Sequence, residues 1–442
     1  MALPDPIRLR PPAPFDVTLS PPGSKSLSNR ALLLAALAEG TSTLRNLLEA
    51  DDTRHMRACL ATLGVELLDF PDADGTLAVE GLAGPLRSTV QSAPGLPPTL
   101  HVGTAGTVAR LLGAVVAASP VHAIIDGTPR MRERPMAQLL DALRDQGARL
   151  TTRGEPGCLP VEVGPDGPRL RGGTITLARP ASSQIVSGLV IAALLAAAPT
   201  RIVLEQGTPA RPYVDMTLAT VQAFGGHARW LDARTLEIEP SSLRAIDTTI
   251  EPDASAASYP LALAALYGGH CTIAGLGHDS LQGDVAFAPA VLAPMGAAVD
   301  QAAHQTSVRG AGPLRGGDFD LGEMPDMTLT LAALAIHARG PTRIRGVAIL
   351  RHHESDRLAA AATELRKLGA TVHEHPDGLD IHPPSGGPRA GVTVDTYEDH
   401  RMAMAFALVG DVGVRDPGCV AKTWPEYFSV LERLGMVVSS AR

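Results

Sequence analysis

Six copies of one pattern run through this chain. In each, a helix-like run of small apolar residues leads through a turn into a short β-branched run, at 31–47, 111–127, 189–207, 261–276, 329–347 and 402–418. A second helix-like stretch trails each copy and ends on a glycine: Gly64, Gly147, Gly225, Gly296, Gly369 and Gly435. Glycine just past a helix end accepts the left-handed cap at no steric cost. These glycines lie 83, 78, 71, 73 and 66 residues apart, so six units of about 74 residues fill the 442-residue length. Each unit reads as strand–helix–strand–helix–strand, which predicts an α/β chain. Three units per domain give two similar domains, 1–24 with 251–442 and 25–250, with crossovers at 21–24 and 246–253.

Composition narrows the reading further. Hydrophobic residues make up 45% of the chain and aromatics only 3%, so the cores are built from Ala, Leu and Val. A net charge of -8 argues against a nucleic-acid surface, which is usually basic, and leaves room for a local cationic pocket. The four cysteines form no CxxC pair, which suggests neither a zinc ribbon nor a disulfide framework and fits a reducing, cytoplasmic setting. The clean apolar run 189–198 is about half a membrane span, and the proline-rich residues 1–14 lack an apolar signal core. No membrane association is expected.

Chemistry-bearing residues collect where the pattern starts its helices. Ser24-Lys25-Ser26 with Arg30 opens the first apolar helix, and free N–H groups beside cations suit an anion, although an ordinary serine cap uses the same residues. Gly103-Thr104-Ala105-Gly106 with Arg110 opens another, without the GxGxxG order of a dinucleotide site. Arg130, Arg132 and Arg134 fall within five residues. Ser182-Ser183-Gln184 offers two hydroxyls and an amide to phosphate oxygens, or a plain capping box. Later come Asp326, His353-Glu354 with Arg357, Asp399-His400-Arg401 and Lys422, carboxylates beside cations, as proton transfer on an anionic substrate requires. HExxH is absent, adjacent His352 and His353 point different ways on a helix or strand, and His373 and His375 have no third ligand nearby, so no metal and no cofactor are expected.

Taken in order, these segments resemble the EPSP synthase (3-phosphoshikimate 1-carboxyvinyltransferase) family. The likeness rests on GSKSLSNR at 23–30, AGTVAR at 105–110, PRMRERP at 129–135, SSQ at 182–184, RPYVD at 211–215 and EPDASAASY at 251–259. It continues through QGD at 282–284, PD at 325–326, ESDRL at 354–358, DHRMAMA at 399–405 and AKTWPEY at 421–427. The resemblance implies two domains of three repeats each with the active site in the cleft between them. It also implies transfer of the enolpyruvyl group of phosphoenolpyruvate to the 5-hydroxyl of shikimate 3-phosphate, the only partners expected of a monomer.

Carried over by position, the resemblance assigns Lys25, Ser26, Arg30, Ser182, Ser183, Gln184, Tyr213, Asp326 and His353 to shikimate 3-phosphate. It assigns Lys25, Gly106, Arg134, Gln184, Arg357, Arg401 and Lys422 to phosphoenolpyruvate. Asp326 is then the base for the 5-hydroxyl and Glu354 the acid for the methylene carbon, with Lys25, His400 and Lys422 stabilising or relaying charge. Ala210, Ile349, His353 and Thr104 depart from the commonest family residues serine, asparagine, lysine and asparagine. A neutral His353 weakens the shikimate phosphate contact unless Arg351 or Arg211 takes it over. Two alternatives remain: the sister UDP-N-acetylglucosamine enolpyruvyl transferases, whose loop cysteine has no counterpart between Cys59 and Cys158, and a catalytically silent anion-binding relative.

Overall fold

The computed structural model describes residues 3–70, 75–87, 96–164 and 170–440; the outermost expected domain limits, 1 and 442, lie outside them. The chain divides into two compact units, one from Gly23 to Ile250 and one joining the residues up to Pro22 with those from Glu251 onward.

The 23–250 unit carries helices α1 (Lys25–Leu37), α2 (Asp51–Thr62), α3 (Gly106–Ala117), α4 (Pro129–Glu133), α5 (Ala137–Asp145), α6 (Ser183–Ala193) and α7 (Pro212–Ala223). The other unit carries α8 (Ala254–Tyr267), α9 (Ala293–Met295), α10 (Thr328–Ala335), α11 (Arg357–Lys367), α12 (His400–Ala407) and α13 (Tyr427–Arg433).

Each unit holds three four-stranded sheets among its described residues, each with one parallel and two antiparallel pairings in the same arrangement. In the sheet around α3, Thr99–His101 runs parallel to Ala123–Asp126, with Leu100 opposite Ile125. Val161–Val163 then pairs antiparallel with Ala123–Asp126 on one side and with Leu150–Thr152 on the other. The repeat is therefore strand–helix–strand–helix–strand–strand, one strand longer than the sequence pattern suggests. The extra strand is only three residues here, and its Gly- and Pro-containing hairpin loop hides the alternation that would reveal it.

The repeats are also stitched rather than strictly consecutive. Asp247–Thr249, at the far end of the 23–250 unit, supplies the parallel strand beside Thr41–Arg45. In the other unit Ile7–Arg10 lies between Val412–Val414 and Val437–Ser440, and Asp16–Leu19 lies parallel to His270–Ala274. The six expected cap glycines all have positive φ: 82°, 106°, 80°, 111°, 100° and 88° in chain order.

Helices α3, α10 and α12 are buried along their whole length, and α1, α6 and α8 nearly so. Small residues permit this. A Cβ on Gly188 would lie 2.7 Å from the Arg110 carbonyl oxygen, so α6 reaches the α3 backbone only with glycine there. Leu111 is fully buried, and truncation to Ala should cost about 2–5 kcal/mol. This packing leaves the α1, α3 and α6 N-termini in one unit, and the starts of α10, α11 and α12 in the other, to carry the polar side chains. No described helix is long and apolar enough to cross a membrane.

Candidate functional site

In the 23–250 unit most candidate residues sit on the starts of α1, α3 and α6, with Tyr213 at the start of α7 and Arg134 just past the end of α4. Ser24 caps α1 by accepting from the Leu27 N–H, and Ser182 caps α6 by accepting from the Gln184 N–H. Lys25 pairs with Asp52 of α2 at 3.6 Å, and Ser26 follows it in the first turn. Arg30 is 1% exposed, and every hydrogen bond it makes among the described residues goes to a neutral oxygen. Its Nε donates to Thr217 Oγ1 at 2.8 Å and Nη1 to the Ser26 carbonyl at 2.9 Å. Its Nη2 donates to Ser187 Oγ at 3.3 Å and the Tyr213 carbonyl at 2.9 Å. Burial pulls its pKa down to about 10, so it stays charged at neutral pH.

At the start of α3 two guanidiniums crowd the backbone. A Cβ on Gly106 would lie 2.7 Å from both terminal nitrogens of Arg134 and 2.8 Å from Nη1 of Arg110, so glycine is what lets both cations reach this helix end. Arg134 donates to the Thr104 carbonyl at 3.1 Å. Arg110 donates to Gln184 Oε1 at 2.8 Å and the Pro135 carbonyl at 3.0 Å, while Gln184 Nε2 donates to Thr107 Oγ1 at 3.2 Å. A guanidinium only donates, so Gln184 must turn its oxygen to Arg110 and its amide hydrogens to Thr107. Cations and helix N–H groups together make an anion-binding face.

In the other unit the candidates form one ion cluster around Arg357. Its Nε and Nη2 grip the two oxygens of Asp399 at 2.8 and 3.1 Å. Nη2 also reaches Glu354 Oε2 at 3.0 Å, and Nη1 reaches Asp326 Oδ1 at 3.0 Å. Arg401 takes the other Asp326 oxygen at 2.7 Å, and Lys422 lies 3.6 Å from Glu354 Oε1. His400 is fully buried, 3.6 Å from Asp399 Oδ1. Burial opposes the charge on Arg357, but Asp399, Glu354 and Asp326 outweigh it and raise its pKa above the ordinary value. Arg401 approaches the Tyr259 hydroxyl at 3.4 Å, and burial pushes that phenol up to about 12.

The structure thus gathers Lys25, Ser26, Arg30, Gly106, Arg134, Ser182, Ser183, Gln184 and Tyr213 on one unit. It gathers Asp326, His353, Glu354, Arg357, His400, Arg401 and Lys422 on the other. His353 Nδ1 lies 3.0 Å from Arg357 Nη1 and accepts from it, which leaves the ring proton on Nε2. Neither expected substitute for it has an idle guanidinium. Arg351 is tied to Asp356, Glu374 and two carbonyls, and Arg211 stacks on Trp230 at 4.1 Å and bonds the Ala233 carbonyl. Ala210 has φ 49°, a strained position for a residue with a Cβ.

Four working residues fall outside the sequence assignment: Asp52, Arg110, Thr107 and Asp399. The Asp399-His400-Arg401 run carried a signal for Asp399. Arg110 and Thr107 lie in the AGTVAR segment, which carried a signal for them, whereas Asp52 stands on a helical turn like many others and carried none. Among the described residues, no group of three or more His, Cys, Asp or Glu is arranged to hold a metal ion.

Residues 9–431 match the family described as EPSP synthase (3-phosphoshikimate 1-carboxyvinyltransferase). A Serratia proteamaculans protein named 3-phosphoshikimate 1-carboxyvinyltransferase is 41% identical over 439 residues, spanning 98% of this chain and 99% of its own. One of the same name from Nitrosomonas europaea is 43% identical over 418 residues, spanning 92% and 93%. The structure of EPSP synthase from Acinetobacter baumannii aligns with a TM-score of 0.78 and 25% identity over 99% of this chain and 100% of that one.

Proposed function

Because the chain belongs to the EPSP synthase (3-phosphoshikimate 1-carboxyvinyltransferase) family, we propose that it transfers the enolpyruvyl group of phosphoenolpyruvate to the 5-hydroxyl of shikimate 3-phosphate and releases phosphate. The observation that carries this reading is the Arg357 cluster, where Asp326 and Glu354 are held on one guanidinium beside Arg401 and Lys422.

In the mechanism, Asp326 takes the proton of the 5-hydroxyl as its oxygen bonds to C2 of phosphoenolpyruvate. Glu354 passes a proton to the methylene carbon, forming a tetrahedral ketal phosphate. Glu354 then takes a methyl proton back, restoring the double bond as the C–O bond to phosphate breaks, and Asp326 returns its proton to the departing phosphate. Lys25, His400 and Lys422 stabilise or relay charge. Such acid–base help is worth about 10²–10⁴-fold. Placing two anions together supplies the larger share.

Ser182, Ser183 and His353 would hold the shikimate phosphate, with Lys25, Ser26, Gln184, Tyr213 and Asp326 against the same substrate. Arg30, with four of its five donors used internally, would act on it through charge. Gly106, Arg134, Gln184, Lys25, Arg357, Arg401 and Lys422 would take phosphoenolpyruvate, bidentate arginines suiting its phosphate and carboxylate. The enzyme is proposed to act as a monomer. Its buried thiols Cys59 and Cys271, raised to about 12 by burial, suit a reducing cytoplasm.

Phosphate release measured with both substrates tests the activity. Turnover that requires both is expected. No release above background at saturating substrate would sink the enzymatic reading, and binding without turnover would make the chain a silent relative.

A further inference from the structure

The loop that delivers Asp399, His400 and Arg401 to α12 has an unusual backbone. Tyr397 and Glu398, with φ of 57° and 56°, are the only adjacent non-glycine pair in the left-handed region among the described residues. Two neighbours with Cβ atoms adopt this conformation only when their surroundings impose it, and such strain gathers where a side chain must be aimed.

The imposing contacts come from α11. Glu364, fully buried near its C-terminal end, accepts on Oε1 from the Tyr397 hydroxyl at 2.7 Å and from Lys367 Nζ at 2.8 Å. Its Oε2 accepts from the Asp395 N–H at 3.2 Å. Lys367 also pairs with Asp395 at 2.6 Å, and Arg415 holds the other Asp395 oxygen at 2.8 Å. At the far end of the same helix Arg357 grips Asp399 through both its oxygens. Seven residues, about 10 Å of helix, therefore separate two anchor points for one five-residue loop. Between them the chain closes a turn, Asp399 N–H to the Thr396 carbonyl at 2.9 Å, and Asp399 then caps α12 by accepting from the Arg401 N–H.

We propose that Glu364 and Tyr397 are positioning residues: by clamping 395–398 to α11 in the left-handed conformation, they set Asp399 and Arg401 at the start of α12 for phosphoenolpyruvate. The inference rests on the substrate reading given above. Neither residue touches the Arg357 cluster through its side chain among the described contacts, so both act through the loop.

Tyr397→Phe keeps the ring and removes one hydrogen bond. The KM for phosphoenolpyruvate should rise about tenfold while that for shikimate 3-phosphate stays within about twofold and the thermal midpoint hardly moves. Adding Glu398→Gly should restore most of the lost affinity, because glycine accepts positive φ without a Cβ clash. Glu364→Gln should repeat the pattern more strongly. Unchanged KM values in both variants would overturn the proposal, as would parallel rises in both KM values with a fall in thermal midpoint. Failure of Glu398→Gly to rescue would overturn it as well. The wild type assayed alongside separates the two readings: if it releases no phosphate, the activity fails. The clamp is then read by calorimetric binding of phosphoenolpyruvate in the presence of shikimate 3-phosphate, where an unchanged Tyr397→Phe affinity overturns it.

Discussion

Arg30 and Arg357 are the same residue with the same 1% exposure, and their surroundings treat them oppositely. Arg30 bonds only neutral oxygens, and burial brings its pKa down to about 10. Arg357 is also penalised by burial, but three carboxylates reverse the balance and raise its pKa. The surroundings of Arg30 therefore leave its positive charge uncompensated, beside helix N-termini. The unit bearing Arg357 is largely neutralised from within, and its cations fix the orientation of carboxylates. On the proposed function, the first region offers charge to shikimate 3-phosphate, and the second orients the proton-moving carboxylates while its cations also face phosphoenolpyruvate.

The largest effect that tests this division is on turnover. Asp326→Ala and Glu354→Ala should each lower kcat by about 10²–10⁴-fold. Calorimetry should still find shikimate 3-phosphate bound. In the opposite unit, Ser182→Ala with Ser183→Ala should raise the KM for shikimate 3-phosphate about tenfold and change kcat little. Near-normal rates in either carboxylate variant would refute that residue's role. A collapse of kcat in the serine variant would erase the contrast between the regions.

Stability gives the next test. Arg357→Met leaves Asp399, Glu354 and Asp326 gathered without their common cation, which should cost about 3–5 kcal/mol. Arg30→Met leaves only neutral acceptors without donors, which should cost about 1–3 kcal/mol. Urea unfolding of the two variants compares them directly. If Arg30→Met proves the more damaging, the electrostatic contrast is wrong.

Much of this architecture was legible in the chain because repetition amplifies weak signals. Six cap glycines and six apolar helices in step define the repeats, although any one would be unremarkable. The fourth strand of each sheet escaped, since strands of three to five residues such as Val161–Val163 and Thr235–Glu239 offer little alternation to read. At the site, helix-start motifs pointed to Lys25, Ser182, Glu354 and Arg401. What they left out was mutual orientation: Asp52 beside Lys25, Arg110 setting the amide of Gln184, and Glu364 holding Tyr397. Those partners lie 27, 74 and 33 residues away in the chain, where only tertiary packing brings them together. The proposed substitutes Arg351 and Arg211 illustrate the converse, charge visible in sequence but committed elsewhere by the fold.

Acid should distinguish the regions with the smallest effect. His55 on α2 donates from Nδ1 to the His101 carbonyl at 3.1 Å, and its Nε2 packs where a Cβ on Gly103 would come within 2.2 Å. Gly103, with φ 58°, leads the loop into Gly106, so this imidazole braces the anion-binding face. Burial lowers the His55 pKa below 6.5, with Asp52 opposing and His101 adding to the effect. Above pH 6.5 both folded and unfolded chains hold the ring neutral, so its contribution is level there. As pH falls below that value the unfolded chain takes the proton first, and stability drains away until the folded pKa is passed. Arg357, raised by its carboxylates, stays charged across this whole window. His55→Asn retains a donor for the His101 carbonyl without a titrating ring. Between about pH 7.5 and about pH 5.5 the wild type should therefore lose more thermal stability than His55→Asn. Equal losses in the two proteins would show that the glycine loop is not the acid-sensitive side, and the pH contrast between the regions would fall.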